Sequence, residues 1–230
     1  MKIGIIAAMP EELVHLTQNL DRAQEVQVLG NTYYTGTVGK TEVVLVQSGI
    51  GKVMSAMSVA VLADHFQVDA VINTGSAGAL AEGIAVGDVV IADKLAYHDV
   101  DVTAFGYAYG QMAQQPLYFE SDKNFVAKIQ ESLSQLNQKW HLGLIATGDS
   151  FIAGDDKIAS IKSHFPDVLA VEMEGAAIAQ AAQALGLPFL VIRAMSDNAN
   201  HEASISFDEF IIEAGRRSAQ VLLAFLKAMD

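Results

Sequence analysis

Cysteine is absent from all 230 residues. That excludes disulfides, thiolate nucleophiles, thiolate zinc sites and iron–sulfur clusters together, and it is compatible with a reducing compartment. Basic residues are scarce: Lys and Arg number 14 against 27 Asp and Glu, for a formal net charge of −13. A phosphate polymer is bound by exchanging its counterions for Lys and Arg side chains, so nucleic acid and anionic membrane are not expected partners. Arginine stands only at Arg22, Arg193, Arg216 and Arg217, which makes an arginine beside polar motifs informative. Long apolar runs are missing too. The N-terminal one, Ile3 to Met9, stops at Pro10-Glu11-Glu12, too short for a signal peptide or a membrane span, so a cytoplasmic location is expected.

What is present is a chain that can pack. Hydrophobic residues make up 51% and charged residues only 18%, which excludes a disordered chain and suits strands buried on both faces. A chain of this length buries roughly three quarters of its unfolded surface. No repeat, linker or low-complexity segment divides it, so residues 1–230 are expected to form one domain.

Strand and helix signals alternate. Lys2 to Ala8 reads as a buried strand, followed by Pro10 at a first helical position and an apolar-periodic helix to about Leu20. Between Glu25 and Ser48, β-rich runs broken at Gly30-Asn31 and Gly39-Lys40 suggest antiparallel hairpins, which makes the sheet mixed. After Gly49 to Gly51 a helix is expected to about His65, then strands at Asp69 to Thr74 and Gly87 to Ala96. A long loop from His98 to Phe119 precedes a helix from Ser121 to Leu136. Strands at Leu142 to Thr147, Leu169 to Val171 and Phe189 to Ala194 alternate with helices at Asp155 to His164 and Gly175 to Leu185. A last helix is expected from Phe207, capped by Ser206 with Glu209 three residues on. The fold class is therefore α/β: three layers, with a central mixed sheet flanked by helices.

Polar residues gather just after the expected strands, at Met9 to Glu12, Ser76, Asp149 to Ile152, Glu172 to Glu174 and Ser196-Asp197. In open α/β sheets ligands sit beyond the carboxyl ends of strands, so these five clusters are candidates for one site. Each has an ordinary explanation as well. Glu11 and Glu12 complement the positive end of a helix, as Glu172 and Glu174 do at a second junction. Asp197 begins a turn-prone run. Arg193 closes an otherwise apolar strand and needs a carboxylate partner, for which Glu174 is a candidate.

Several motifs are ruled out or left bland. Gly75-Ser76-Ala77-Gly78 is not the dinucleotide fingerprint, and around Gly51-Lys52 the Walker pattern fails at Val46 and Val53; both glycine loops read as strand-to-helix turns. In Tyr97-His98-Asp99-Val100-Asp101, alternation would put Asp99 and Asp101 on one face and His98 on the other, and no His-x-x-x-His pair occurs, so no metal is expected.

Taken together, Ala8-Met9-Pro10-Glu11-Glu12, Ser48-Gly49-Ile50-Gly51-Lys52, Asn73-Thr74-Gly75-Ser76-Ala77-Gly78, the stretch Tyr97 to Tyr109, Gly148-Asp149-Ser150-Phe151, Val171-Glu172-Met173-Glu174 and Arg193-Ala194-Met195-Ser196-Asp197 resemble the 5'-methylthioadenosine/S-adenosylhomocysteine nucleosidase family, in order, from the first strand to the last helix. The sequence departs from the usual pattern at Ala7, Ala79, Gly175, Asn198 and Asn200, none of them a position with a chemical role.

The resemblance implies a nucleoside phosphorylase/hydrolase-like fold, hydrolysis of the N-glycosidic bond of adenine thionucleosides, a place in methionine salvage, no cofactor and a homodimer. It implies that Asp197 protonates adenine N7, that Glu12 activates the attacking water, and that Glu174 with Arg193 organises the ribose hydroxyls. It further places adenine against Phe151 and the Ile152 backbone, with Ser76, Ser196 and Met173 lining sugar and base, and Met9, Ile50 and Phe207 around the 5'-alkylthio group. Val102, Phe105 and Tyr107 are implied to reach the neighbouring subunit's pocket. An aspartate of ordinary pKa near 3.9 is about one part in a thousand protonated at pH 7. Asp197 is therefore expected to gain proton affinity from burial, Glu12 and Glu174.

Overall fold

A computed structural model describes residues 1–199 and 203–229, residues 203–206 by their backbone only. Strand β1 (Lys2–Ala7) is followed by α1 (Pro10–Gln18), then by the meander β2 (Asp21–Val28), β3 (Asn31–Val38) and β4 (Thr41–Gln47). Next come α2 (Lys52–Asp64), β5 (Ala70–Asn73), β6 (Ser76–Ala79) and β7 (Val89–Tyr97). After a long loop with one 3-10 turn (Thr103–Phe105) follow β8 (Phe119–Glu120), α3 (Lys123–Gln135), β9 (Trp140–Thr147), α4 (Asp155–His164), β10 (Val168–Glu172), α5 (Gly175–Ala184), β11 (Phe189–Asp197) and α6 (Ala203–Ala228).

The strands form one mixed sheet in the order β2-β3-β4-β1-β5-β11-β6-β10-β9-β7-β8, and β7 also pairs with β11. The meander is antiparallel, β4-β1-β5-β11 is parallel, and β6 meets β10 antiparallel. Strand β11 carries the architecture. Its first residues pair with β5 (Phe189 opposite Val71), its middle with β7 (Ile192 opposite Ile91), and its end with β6 (Ala194 opposite Ser76). Every residue of it is buried, as its continuous apolar run requires of a strand covered on both faces.

Alternation along the strands sorts side chains into two layers. Ile3, Ile5, Val43 and Leu45 face a cluster with Leu13 and Leu16 of α1, Ile129 of α3 and Leu222 and Phe225 of α6. Ile6, Val44 and Val46 face the opposite cluster, with Leu62 of α2 and Ile178 and Ala182 of α5. Helix α4 and the residue that caps its end cover the remaining part of the sheet through Ile161 and Phe165. The expected sandwich of a mixed sheet between helices is what forms.

Three local expectations are corrected. Gly75 to Gly78 is not a strand-to-helix turn: Ser76–Ala79 is itself a strand, whose small residues let it lie between β11 and β10. Helix α6 is already in progress at Ala203, so Ser206 is not its cap; the Ser206 side chain lies outside the described residues. Strand β7 ends at Tyr97, so no alternation extends to Asp99 and Asp101. Asp99 pairs with Lys52, whereas Asp101 accepts the Thr103 N–H and hydroxyl. Among the described residues no group of His, Cys, Asp or Glu could hold a metal ion, and no helix is long and apolar enough to cross a membrane.

Candidate active site

A cavity of about 510 Å³ opens at the carboxyl ends of β1, β10 and β11, and all five polar clusters contribute to it. Glu12, Glu172, Glu174 and Asp197 are its buried acids; Ser76, Met173 and Ser196 lie among them, and Met9, Ile50, Phe151, Ile152 and Phe207 complete an apolar wall. Asp208 also lines it. Of the described lining residues none is a cation.

Glu12 is placed by the start of α1. As its third helical residue it reaches back to accept the Met9 N–H (3.1 Å) and the Ala8 N–H (2.9 Å) on one oxygen. Its other oxygen takes the Ser76 N–H (2.9 Å) and the Ser76 hydroxyl (3.0 Å) across from β6. The helix-end reading of Glu12 is therefore correct, and it holds the carboxylate in the cavity at the same time. Only the Ser76 hydroxyl among these four donors can rotate away.

Arg193 does not line the cavity. It is only 1% exposed and lies behind the acids. Its tightest carboxylate partner is Glu172, not the expected Glu174, whose Oε2 stands 3.3 Å from Nη2. Asn73 Oδ1 at 2.5 Å and the Thr74 carbonyl at 3.4 Å complete its fork. Burial alone would loosen the Arg193 proton, but Glu172, Glu174 and Glu12 outweigh it and hold the guanidinium firmly charged. Glu172 also accepts the Thr147 hydroxyl and the Glu174 and Gly175 N–H groups, so it caps α5 and anchors Arg193 together.

Glu174 is differently placed. It accepts the Gly51 N–H (2.9 Å) and shares Arg193 with Glu172. Burial pushes its pKa up to about 7, against the pull of Arg193 and with help from Glu172. A carboxyl titrating there can accept or hold a proton at neutral pH.

Asp197, at the end of β11, also has its pKa raised, and burial is the cause. The Ala199 N–H (2.7 Å) and Ser196 hydroxyl (2.9 Å) act in the opposite direction. The expected help from Glu12 and Glu174 is not among the causes; removal from water does the raising. Space for the carboxylate depends on Gly78, where a Cβ would come within 2.8 Å of Asp197 Oδ1.

At the mouth, Phe151 and Phe207 meet edge to face with ring centres 5.8 Å apart. Phe151 is 42% exposed and Ile50 56%. Val102, Phe105 and Tyr107 are not brought to this cavity; Phe105 is 81% exposed on the loop after β7. Sequence reasoning did not single out Glu172 as the residue that fixes Arg193. Its position two residues before Glu174 on an emerging strand was the available signal.

Residues 2–227 match the family model described as Phosphorylase superfamily. The chain is 49% identical to a 5'-methylthioadenosine/S-adenosylhomocysteine nucleosidase of Listeria welshimeri, covering all of both chains. It superposes with a TM-score of 0.98 on the nucleosidase of that name from S. pneumoniae solved with the transition-state inhibitor MT-ImmA, at 86% identity and full coverage of both. A futalosine hydrolase mutant of Helicobacter pylori shares the fold at a TM-score of 0.95, with 31% identity and 99% of each chain covered.

Proposed function

Since the chain belongs to the 5'-methylthioadenosine/S-adenosylhomocysteine nucleosidase family within the phosphorylase superfamily, we propose that it hydrolyses the N-glycosidic bond of 5'-methylthioadenosine and S-adenosylhomocysteine, and of 5'-deoxyadenosine as well. Adenine is released; the sugar leaves as the free 5'-thioribose from the two thionucleosides and as 5-deoxyribose from 5'-deoxyadenosine. The observation that carries this reading is a buried acid of raised pKa, Asp197, lining the same largely apolar cavity as a hydrogen-bonded carboxylate, Glu12.

The C1'–N9 bond breaks with its electron pair going to the base, and a proton from Asp197 neutralises N7 as that charge develops. The ribosyl cation left behind is stabilised by the surrounding carboxylates. Water attacks C1' and gives its proton to Glu12 once the Ser76 hydroxyl swings aside. Glu174 accepts ribose hydroxyls, and Arg193 acts from behind, by fixing Glu172 and Glu174. Phe151 and the Ile152 backbone receive adenine, Met173 and Ser196 border the sugar and base, and Met9, Ile50 and Phe207 receive the alkylthio group.

Water rather than phosphate is the nucleophile in this reading. Phosphate near −2 needs cations or a row of free N–H groups. The described lining offers carboxylates, and Arg193 is already engaged by two of them. Ile50, Val53, Met54 and Met57 leave apolar side chains exposed at and just before the start of α2, the helix whose Lys52 holds Asp99 of the loop that carries Phe105. That supports a homodimer, with Val102, Phe105 and Tyr107 reaching the partner's pocket. Methionine salvage in the cytoplasm is the matching cellular setting.

The test is adenine release from each thionucleoside with and without phosphate, using Glu12→Gln and Asp197→Asn as controls. Free thioribose formed without phosphate is expected; a ribose 1-phosphate product with absolute phosphate dependence would overturn the reading.

A further inference from the structure

Three polar residues with no part in the proposed reaction close into a ring, two of them within two positions of the cavity-lining residues Ile50 and Ser150. Lys52 Nζ lies 2.9 and 2.7 Å from the two carboxylate oxygens of Asp99. Asp99 Oδ2 accepts the Asp149 N–H at 2.9 Å. Asp149 Oδ1 accepts the Lys52 N–H at 2.9 Å, and its second oxygen is 3.6 Å from Lys52 Nζ. The Tyr97 ring lies 5.4 Å from the same ammonium. The three members come from the first turn of α2, the loop after β7 and the loop after β9.

Helix α2 explains the arrangement. Its N-cap is Gly51, which has no side chain to offer and sits at φ +97, where a Cβ would also press on Asp149 Oδ1 at 3.1 Å. Two backbone N–H groups at this helix start are instead taken by carboxylates from elsewhere, Gly51 by Glu174 and Lys52 by Asp149. Negative charge is favoured there by the helix dipole.

An isolated exposed ion pair contributes little. In this ring, however, backbone donors form two of the three edges, so neither aspartate can swing away without freeing a main-chain N–H. The loop after β9 is otherwise held at Gly148, bonded to the Glu172 carbonyl (3.2 Å), and at Gly154, bonded to the Ala199 carbonyl (3.0 Å). Phe151 and Ile152 lie between those points, and Asp149 is the tether beside them.

We propose that Lys52, Asp99 and Asp149 are positioning residues whose ring sets the base-facing segment Phe151-Ile152 and fastens the Phe105 loop to the same helix. One subunit's base platform and the loop it extends to its neighbour are thereby held in one register. The inference rests on reading Phe151 and Ile152 as the adenine platform.

Lys52→Met keeps the stem and removes the charge. With methylthioadenosine as substrate, KM should rise about 3- to 10-fold while kcat stays within about twofold, and Lys52→Arg should recover most of the loss. Asp99→Asn should act in the same direction, and the double variant should be no worse than the poorer single one, because both break the same ring. Light scattering at assay concentration should find the same dimer throughout. An unchanged KM, a fall in kcat alone, fully additive singles, or a KM rise confined to dissociated protein would each overturn the inference. Calorimetry with free adenine separates it from the proposed function. If the wild type releases no adenine from any nucleoside, that function fails, whereas weaker adenine binding by Lys52→Met than by wild type still supports the ring, and equal binding rejects it.

Discussion

The floor of the cavity and its rim follow opposite plans. At the floor, Glu12, Glu172 and Glu174, with Arg193 behind them, are buried and linked by hydrogen bonds that leave only the Arg193 Nε of the guanidinium without a partner. At the rim, Ile50 and Phe151 expose large apolar surfaces that nothing in the subunit covers. Burying several carboxylates around one cation is a poor way to gain stability, and leaving aromatic surface in water is a poor way to keep it. The difference teaches that the floor is organised by the fold itself, whereas the rim leaves apolar surface that, in the proposed reading, the nucleoside and a second subunit cover.

Substitutions can break that contrast. Arg193→Met should do the most, because it leaves Glu172 and Glu174 buried without their cation; a loss of about 3–5 kcal/mol in urea unfolding is expected, together with loss of turnover. A loss below about 1 kcal/mol would mean that the floor is not held by charge pairing. Asp197→Asn should lower kcat by about 10³-fold while inhibitor binding and fold survive, since it removes a proton donor rather than a structural tie. Near-normal turnover would take Asp197 out of the acid role.

Glu174 gives a pH-dependent arm. Its folded pKa of about 7 lies above the ordinary 4.5, so the folded state holds the extra proton between them. Its contribution to stability is thus fully present below 4.5 and is lost as pH rises through 7. Glu174→Gln should flatten the decline in melting temperature across that interval, and an unaltered slope would assign the decline to other groups. The rim predicts the smallest effect on the fold: Phe151→Ala should raise KM about tenfold, as loss of a base-stacking ring does, with stability unchanged within about 0.5 kcal/mol. A large drop in melting temperature would make Phe151 part of the core after all.

Much of this was legible in the sequence where one residue type meets one environment. Buried runs such as Ile3 to Ala7 and Phe189 to Ile192 can only be strands or buried helix, and the glycines between the runs of the meander decided its turns. The five polar clusters were readable because strand ends in parallel sheets converge. Ser76 to Ala79 was not, since Ser-Ala-Gly-Ala has no β-branched or aromatic residue and its strand is imposed by neighbours on both sides. The Ser206 and Glu209 spacing imitates a cap inside a helix already under way. Glu174 is the expected partner of Arg193 and Glu172 holds it more closely, because only the three-dimensional turn decides which carboxylate comes nearer. The ring of Lys52 with Asp99 and Asp149 spans 47 and 97 positions, a separation that no local pattern encodes.

Strand β11 bears on how the chain is made. It is the partner of β5, β6 and β7, yet it is separated from β5 by more than a hundred residues. At roughly 5–20 residues per second of synthesis, the edge of β5 waits on the order of ten seconds for its neighbour. During that interval the growing chain carries unpaired apolar edges and an incomplete cavity, because Asp197, which lines it, is the last residue of the strand it waits for. Capture by other nascent chains is the hazard of that window, and the last buried acid of the cavity and the closing of the sheet are delivered to the ribosome exit by the same nine residues.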